Sequence, residues 1–547
     1  MRRFALLALV FAVATCGDDN ISGSGGAGGA GGAGGSGGAG GAGGTGGTGG
    51  AGGTGGTGGT AGSGGTGGSG GSVGAASVLE HHGSPSRAGA YVVSTLTHAM
   101  AATMHVDTTF TATYSGPTYA QPLFVDGGAG GRDMLFVATE QNQISAFDAS
   151  NGTMIWRRTL GNPMPLNQLP CGNISPLGTT GTPIIDGASR TMFLDAMINQ
   201  GGAHHQVFAL SIDDGSTRTG WPVDANTSFH SGSVNFASPV QGERGALALL
   251  SGTLYVPYGG HYGDCGSYHG WIAAIPINNP AQPAAWATTD TESGIWQPGG
   301  LSSDGTYIYG VTGNGAGGAN WGDSEMVGRF TGAAVFSNQT QDYWVPTNWQ
   351  ALDAGDIDMS GSGAIPIDVA GATPSALVAA FGKDGNVYLI NRTNMGGISA
   401  PVATLHASSS EIINASAAYK TAMGTYLVFR GSGVGPCGGT QSNLVAVKIT
   451  AASPPTLSIA WCANAGGGRG SPIATTTDGT AEAVVWAVGA EGDNRLHGFD
   501  GDTGAVVFAG GGAGDVMTSS RRFITPIVAK GRIFVAADNQ LYAFKTN

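Results

Sequence analysis

Residues 136–156 read FVATEQNQISAFDASNGTMIW. An apolar run is followed by a polar turn, then by a second short run ending in Ala-Phe-Asp, three further residues and a Gly. The unit returns at 484–508 as VVWAVGAEGDNRLHGFDGDTGAVVF, and its first half returns at 533–547 as IFVAADNQLYAFKTN. Short β-branched and aromatic runs joined by tight turns at a regular repeat specify a radial or stacked all-β array.

Working outward from these copies, eight strand-rich units centre on 118–158, 179–214, 246–278, 298–332, 375–396, 423–450, 470–508 and 523–547. Helical periodicity is nearly absent. The fold class is therefore all-β, an eight-bladed β-propeller, with seven blades as the alternative. The segment Val78–Tyr114 precedes the first clear unit and is expected to lend an outer strand to the last blade, which closes the ring and removes an open sheet edge. Turn chemistry agrees. Lys383-Asp384-Gly385-Asn386 separates LVAAF from VYLIN, and Asp-Gly supplies the positive φ of a tight hairpin. Asp148, Asp500 and Asp502 are read as turn-capping acceptors.

The N-terminal part has another character. Of the 52 residues from Ile21 to Ser72, 32 are Gly and nearly all others are Ala, Ser or Thr. Such a segment has no apolar surface to offset its ordering entropy, so it reads as a disordered tether with a reach of roughly 40 Å. Before it stands MRRFALLALVFAVATC, in which two arginines precede an apolar run from Phe4 to Ala14. That is a signal peptide, 1–15, too short to span a bilayer. It resembles a bacterial lipoprotein signal, with Val13-Ala14-Thr15 before a lipidated Cys16. The organisation is then signal peptide 1–15, anchor and linker 16–75, and propeller 76–547. Outer membrane or cell surface is the expected location, with a periplasmic or secreted protein as the alternative.

Only 10% of residues are charged and the net charge is −13. No basic footprint exists for nucleic acid. The remaining cysteines, Cys171, Cys265, Cys437 and Cys462, suit two disulfides in an exported chain. Cys437 and Cys462 flank one predicted strand pair, which favours that bridge and leaves Cys171 with Cys265. No Cys-x-x-Cys is present.

The units resemble the repeats of the quinoprotein alcohol dehydrogenase-like propellers, the PQQ-like repeat superfamily. The pattern at 146–156, GKDGNVYLINR at 382–392 and LYAF at 541–544 carry the likeness. YAQPLFV at 119–125, CGNISPLGTTGTPIID at 171–186, GHYGDCGSYHGW at 260–271, GIWQPGG at 294–300 and VTGNG at 311–315 are similar to proteins labelled only as pyrrolo-quinoline quinone repeat proteins. The resemblance implies PQQ and Ca²⁺ as candidate cofactors. Family members that use PQQ carry two adjacent cysteines over the cofactor and a Glu, Asn and Asp around calcium. This chain has no Cys-Cys and no Cys-x-x-Cys-His haem site.

Candidate ligand-binding residues cluster in the loop holding His261, Asp264 and His269, where two imidazoles and a carboxylate stand within nine residues. Asp356 and Asp358 open a D-x-D-x-S-G string like the start of a calcium loop, but Ile367 replaces the closing Glu of an EF-hand. Arg244 and Lys383 at strand edges would clamp carboxylates, and Trp296 would stack on a planar ring. The paired His81-His82 and His204-His205 read as exposed loop residues. The favoured function is a lipid-anchored, monomeric binding module of the cell envelope, facing an envelope protein or a polysaccharide. The alternative is a PQQ- and calcium-dependent oxidoreductase. A third reading is a glycan hydrolase or lyase.

Overall fold

The computed structural model describes residues 73–438 and 441–547. The signal peptide, Cys16 and all of the linker up to residue 72 lie outside the described residues. Seven antiparallel four-stranded meanders and a last one of three strands follow one another, and we number them as blades 1 to 8: 123–159, 184–224, 241–287, 302–345, 363–406, 417–463, 473–508 and 527–545. They form the ring of an eight-bladed propeller, which decides between eight and seven.

The near-continuous apolar runs of the second and third strands follow from burial on both faces. In blade 1, Leu135, Val137 and Phe147 enter the core shared with blade 8. The alternate residues Met134, Phe136, Ala138 and Ile144 enter the core shared with blade 2. A one-residue slip would exchange the two sets and ruin both cores. Each buried Phe or Leu contributes about 1.5–3 kcal/mol.

Blade 8 ends the chain one strand short. His105–Val106 and Ala112–Thr113 pair antiparallel with Gln540–Lys545 and complete it. The join is fastened by Arg532 and Lys545, which both meet Asp107 (2.7 and 3.1 Å), and by the Arg532 guanidinium over Phe110. Tyr114 donates its hydroxyl to the carbonyls of Ala537 and Gln540. Tyr114→Phe is expected to cost about 1–2 kcal/mol, because it strips a buried donor from two carbonyls. Equilibrium urea denaturation would show it, and an unchanged midpoint would mean the join is held by the ion pairs alone.

The rest of the N-terminal segment does something the outer-strand expectation did not include. Residues 78–93 fill the hub. Val78 bridges to Phe124 of blade 1, and the Leu79 carbonyl accepts from Ile185 of blade 2. The carbonyls of Pro85, Ala88 and Gly89 accept from Ser303, Ala418 and Ala474 of blades 4, 6 and 7. Ala90–Val92 then runs parallel to the innermost strand of blade 7. Arg87 donates to the carbonyls of Leu247, in the innermost chain of blade 3, and Leu301, at the start of blade 4. It also donates to the His81 carbonyl and pairs with Glu80 at 2.8 Å. The His81 Nε2 meets Thr525 Oγ1, before blade 8, at 3.2 Å. Seven blades thus hydrogen-bond the plug, and blade 5 shares a small cavity with His82 and Arg87. Gly89 has φ +67°, and a Cβ there would press on the His82 ring at 3.0 Å, so the plug needs glycine at this bend.

Two corrections follow. His81 and His82 are 2% and 1% exposed, not surface loop residues, because the hub draws their segment inward. His205 is equally buried, held between Asp195 and the Gln241 carbonyl, while its neighbour His204 pairs with Asp224 nearer the surface. Both cysteine bridges form as read, Cys171–Cys265 and Cys437–Cys462, each with Cα atoms 6.0 Å apart.

Candidate functional site

One face of the ring, the upper face, carries the turns between the second and third strands of each blade and the connections from blade to blade. The connection from blade 1 to blade 2, residues 160–183, and the loop 261–270 of blade 3 rise above this face. Cys171–Cys265 ties them together. Between them and the first strand of blade 3 lies a small, open cleft. Its outer wall is apolar, with Leu166, Leu169, Ile174 and Leu177. Its inner wall presents Glu243, Arg244 and His261.

The inner wall is unusually poor in partners. Glu243 is 5% exposed; its Oε2 accepts from the Gly181 amide at 2.9 Å, and its Oε1 has no protein partner. Burial, and then the Asp195 carboxylate beside it, push the Glu243 carboxyl well above the usual range, against the Gly181 amide. His261 is also buried, with Nε2 unpartnered. Burial, and then the neighbouring His205, lower its imidazole to about 4, against the pull of the Pro239 backbone. Two such atoms left without a partner cost about 1–3 kcal/mol each. The Arg244 guanidinium lies over the Phe523 ring at 5.4 Å, across the upper mouth of the hub.

Further polar groups support this wall. Glu140, on the second turn of blade 1, accepts from Gly178 and Thr180 (2.7 and 2.9 Å). Burial still raises it to about 7. Glu140 and Glu243 thereby grip opposite ends of Gly178–Gly181, whose Thr180 lines the cleft. Tyr258 donates to Asp195 at 3.0 Å, and Asp195 also holds His205. Burial opposes it, but the Asp195 carboxylate keeps the His205 imidazole above its ordinary range.

Of the sequence-derived candidates, Arg244 and His261 line this cleft. Asp264 instead accepts from Tyr268 at 2.7 Å, and His269 bonds the Thr288 and Asp290 carbonyls. Trp296 donates to the Gly260 carbonyl at 2.9 Å, with its ring edge-on to Tyr268. Lys383 sits between Asp356 and Asp358, touching both, and Asp358 also accepts from the Asn314 amide at 2.9 Å. Burial works against the Lys383 charge, and the two carboxylates more than offset it, so the ammonium titrates above the lysine range. Among the described residues, no three His, Cys, Asp or Glu side chains come together around a metal position. With no adjacent cysteines and its candidate calcium carboxylates paired to a lysine, the donor set does not fit calcium-bound PQQ. The sequence reading passed over Glu140, Glu243 and Asp195. Asp195 carried a visible signal, a carboxylate in the middle of the apolar strand TMFLDAMIN.

Eight blades built from these repeats, closed by an N-terminal strand, have the fold of the PQQ-like repeat propellers. A family model described as outer membrane protein assembly factor BamB matches residues 107–322. Among solved structures, the chain is similar to the quinohemoprotein alcohol dehydrogenase of Comamonas testosteroni, at 13% identity and TM-score 0.57, covering 86% of this chain and 80% of that one. The quinohemoprotein alcohol dehydrogenase ADHIIG of Pseudomonas putida HK5 gives 11%, 0.56, 86% and 80%. A europium-containing methanol dehydrogenase gives 12%, 0.58, 84% and 89%. At these identities the likeness is one of fold. No curated protein sequence matches. No helix among the described residues is long and apolar enough to cross a membrane.

Proposed function

We propose that the chain is an exported, lipid-anchored propeller of the cell envelope that works as a binding module without quinone chemistry. The filled hub carries this reading. Where a propeller keeps an open axial channel, this one holds its own residues 78–93, bonded to seven blades. The Lys383 ammonium between Asp356 and Asp358 supports it further. The partner is an envelope protein or a polysaccharide, met by the upper face. The signal-like N-terminus with Cys16 motivates the anchor, at the outer membrane or cell surface. The closed ring leaves no free sheet edge at the join, in keeping with a monomer. The net charge of −13 disfavours nucleic acid.

Titration calorimetry of the full chain with PQQ and Ca²⁺, beside a dye-linked alcohol oxidation assay, tests it. The expected result is no binding heat at high micromolar cofactor and no turnover. Tight, Ca²⁺-dependent binding with turnover would sink the binding-module reading.

A further inference from the structure

We propose that the outer edge of blade 6, the strand Thr456–Ala463, takes up an extended segment of another protein as an added strand, and that this segment is uncharged, with apolar and polar residues in alternation. The site lies on the rim of the ring, apart from the upper face. The inference goes beyond the binding-module reading and depends neither on what the upper face binds nor on an anchor.

A comparison of the outer strands carries it. An outer strand leaves one row of N–H and C=O groups for another chain to pair with, and proteins blunt such edges with charge, brevity or a covering segment. The other blades do so. In blade 1, Met154–Thr159 carries Arg157 and Arg158. In blade 3, Ala284–Ala287 packs against the strand His230–Ser231. In blade 4, Tyr343–Val345 is covered by Gly397–Ile398, which pairs parallel to it. The outer strands of blades 2, 5, 7 and 8 have only two to four residues each. Blade 6 departs from all of them. Thr456–Ala463 has eight residues, TLSIAWCA, without a charge or a proline. Its inner side pairs with Leu444–Thr450, and among the described residues no other strand pairs with its outer side. Cys437–Cys462 pins its far end, so the edge is held in place.

The side chains select the occupant. Leu457 and Ile459 are half-buried and pack on the core shared with blade 5, as do Val402 and Leu405 of that blade. Thr456, Ser458 and Ala460 are exposed. An added strand continues both faces, so it needs apolar residues at alternate positions and small polar ones between them. Its backbone supplies the affinity and its alternate side chains the specificity. Ala460 is an extra residue in the ladder, and the incoming strand must twist there. A charged residue on the apolar side would lose water without gaining a partner. A second copy of this chain would bring one body of charge −13 against another, so the occupant is a different protein.

The probe is a blocked peptide of alternating Thr and Val, as long as the edge strand. Amide hydrogen exchange of the full chain, read by mass spectrometry with and without peptide, locates it. Exchange in Thr456–Ala463 is expected to slow about tenfold, with the other outer strands unchanged. The same peptide methylated on every amide keeps its side chains but has no donor, and it should not bind. Ser458→Lys combined with Ala460→Lys puts charge on the edge and should weaken binding about tenfold with an unchanged melting curve. If that variant does not fold, the methylated peptide on the wild-type chain decides. The proposal is overturned if exchange in Thr456–Ala463 does not change at about 1 mM peptide, if the methylated peptide binds as well, or if the folded double variant binds like wild type. Protection of the same strand in a dimer formed without peptide would also overturn it, because a second copy would then be the occupant.

Discussion

Arg87→Met should destabilise the propeller by about 3–5 kcal/mol, the cost of stripping one partner from a buried, hydrogen-bonded ion pair. Arg87 is 3% exposed and serves the carbonyls of His81, Leu247 and Leu301 as well as Glu80. Methionine fills similar volume but donates to none of them, so a carboxylate and three carbonyls lose their donor inside the hub. Urea denaturation gives the size of the effect. Amide hydrogen exchange gives its place: the N–H groups of Ile185, Ser303, Ala418 and Ala474 all donate to plug carbonyls, so all four should lose protection together. If only the amides nearest Arg87 respond, the plug is not one cooperative unit.

The second large effect is a response to pH with two opposite signs. Burial lowers the His82 imidazole to about 4, against the Arg87 carbonyl that its Nδ1 bonds. An unfolded histidine titrates near 6.5. The unfolded chain therefore takes up a proton first as pH falls, and stability drains between pH 6.5 and 4, by about 3 kcal/mol for this one group. Glu140 does the reverse. Burial raises it to about 7, so the stability it contributes is complete below its unfolded value of 4.5 and is lost as pH rises to 7, again about 3 kcal/mol. Denaturation of His82→Asn and Glu140→Gln at pH 4, 5.5 and 7 separates the two. Relative to wild type, His82→Asn should gain ground toward pH 4, and Glu140→Gln should gain ground toward pH 7. Parallel profiles for wild type and His82→Asn would mean that His82 is solvated.

The propeller could be read from the sequence because each blade repeats a local pattern. Apolar runs buried on two faces and Asp-Gly turns recur at a spacing that survives without any knowledge of contacts. The closing strand was readable for the same reason, since blade 8 visibly lacks its fourth strand. The plug was not. Residues 78–93 have no period, and the partners that order them are far away in the chain, 214 residues for Arg87 and Leu301 and 444 for His81 and Thr525. In the cleft, His261 stood out through the polar loop around it, and Arg244 as a cation at a strand edge. Glu243 adjoins Arg244 and was still passed over, because a glutamate beside a turn is ordinarily solvated, and its burial comes from the loop that Cys171 ties down. Lys383 shows the converse. Its hairpin was read correctly, but its partners Asp356 and Asp358 come from the preceding blade-to-blade connection.

The shared last blade also sets a timetable. Asp107 and Arg532, which fasten the join, are separated by 425 residues, and closing a loop of that length costs about 5 kcal/mol before any contact rewards it. Blades 1 to 7 can assemble from neighbours, yet neither the ring nor its hub can be sealed until the strand Gln540–Lys545 is in place. The folding chain must therefore keep an open arc, with an unpaired strand at each side of the join, until Gln540–Lys545 meets His105–Val106 and Ala112–Thr113.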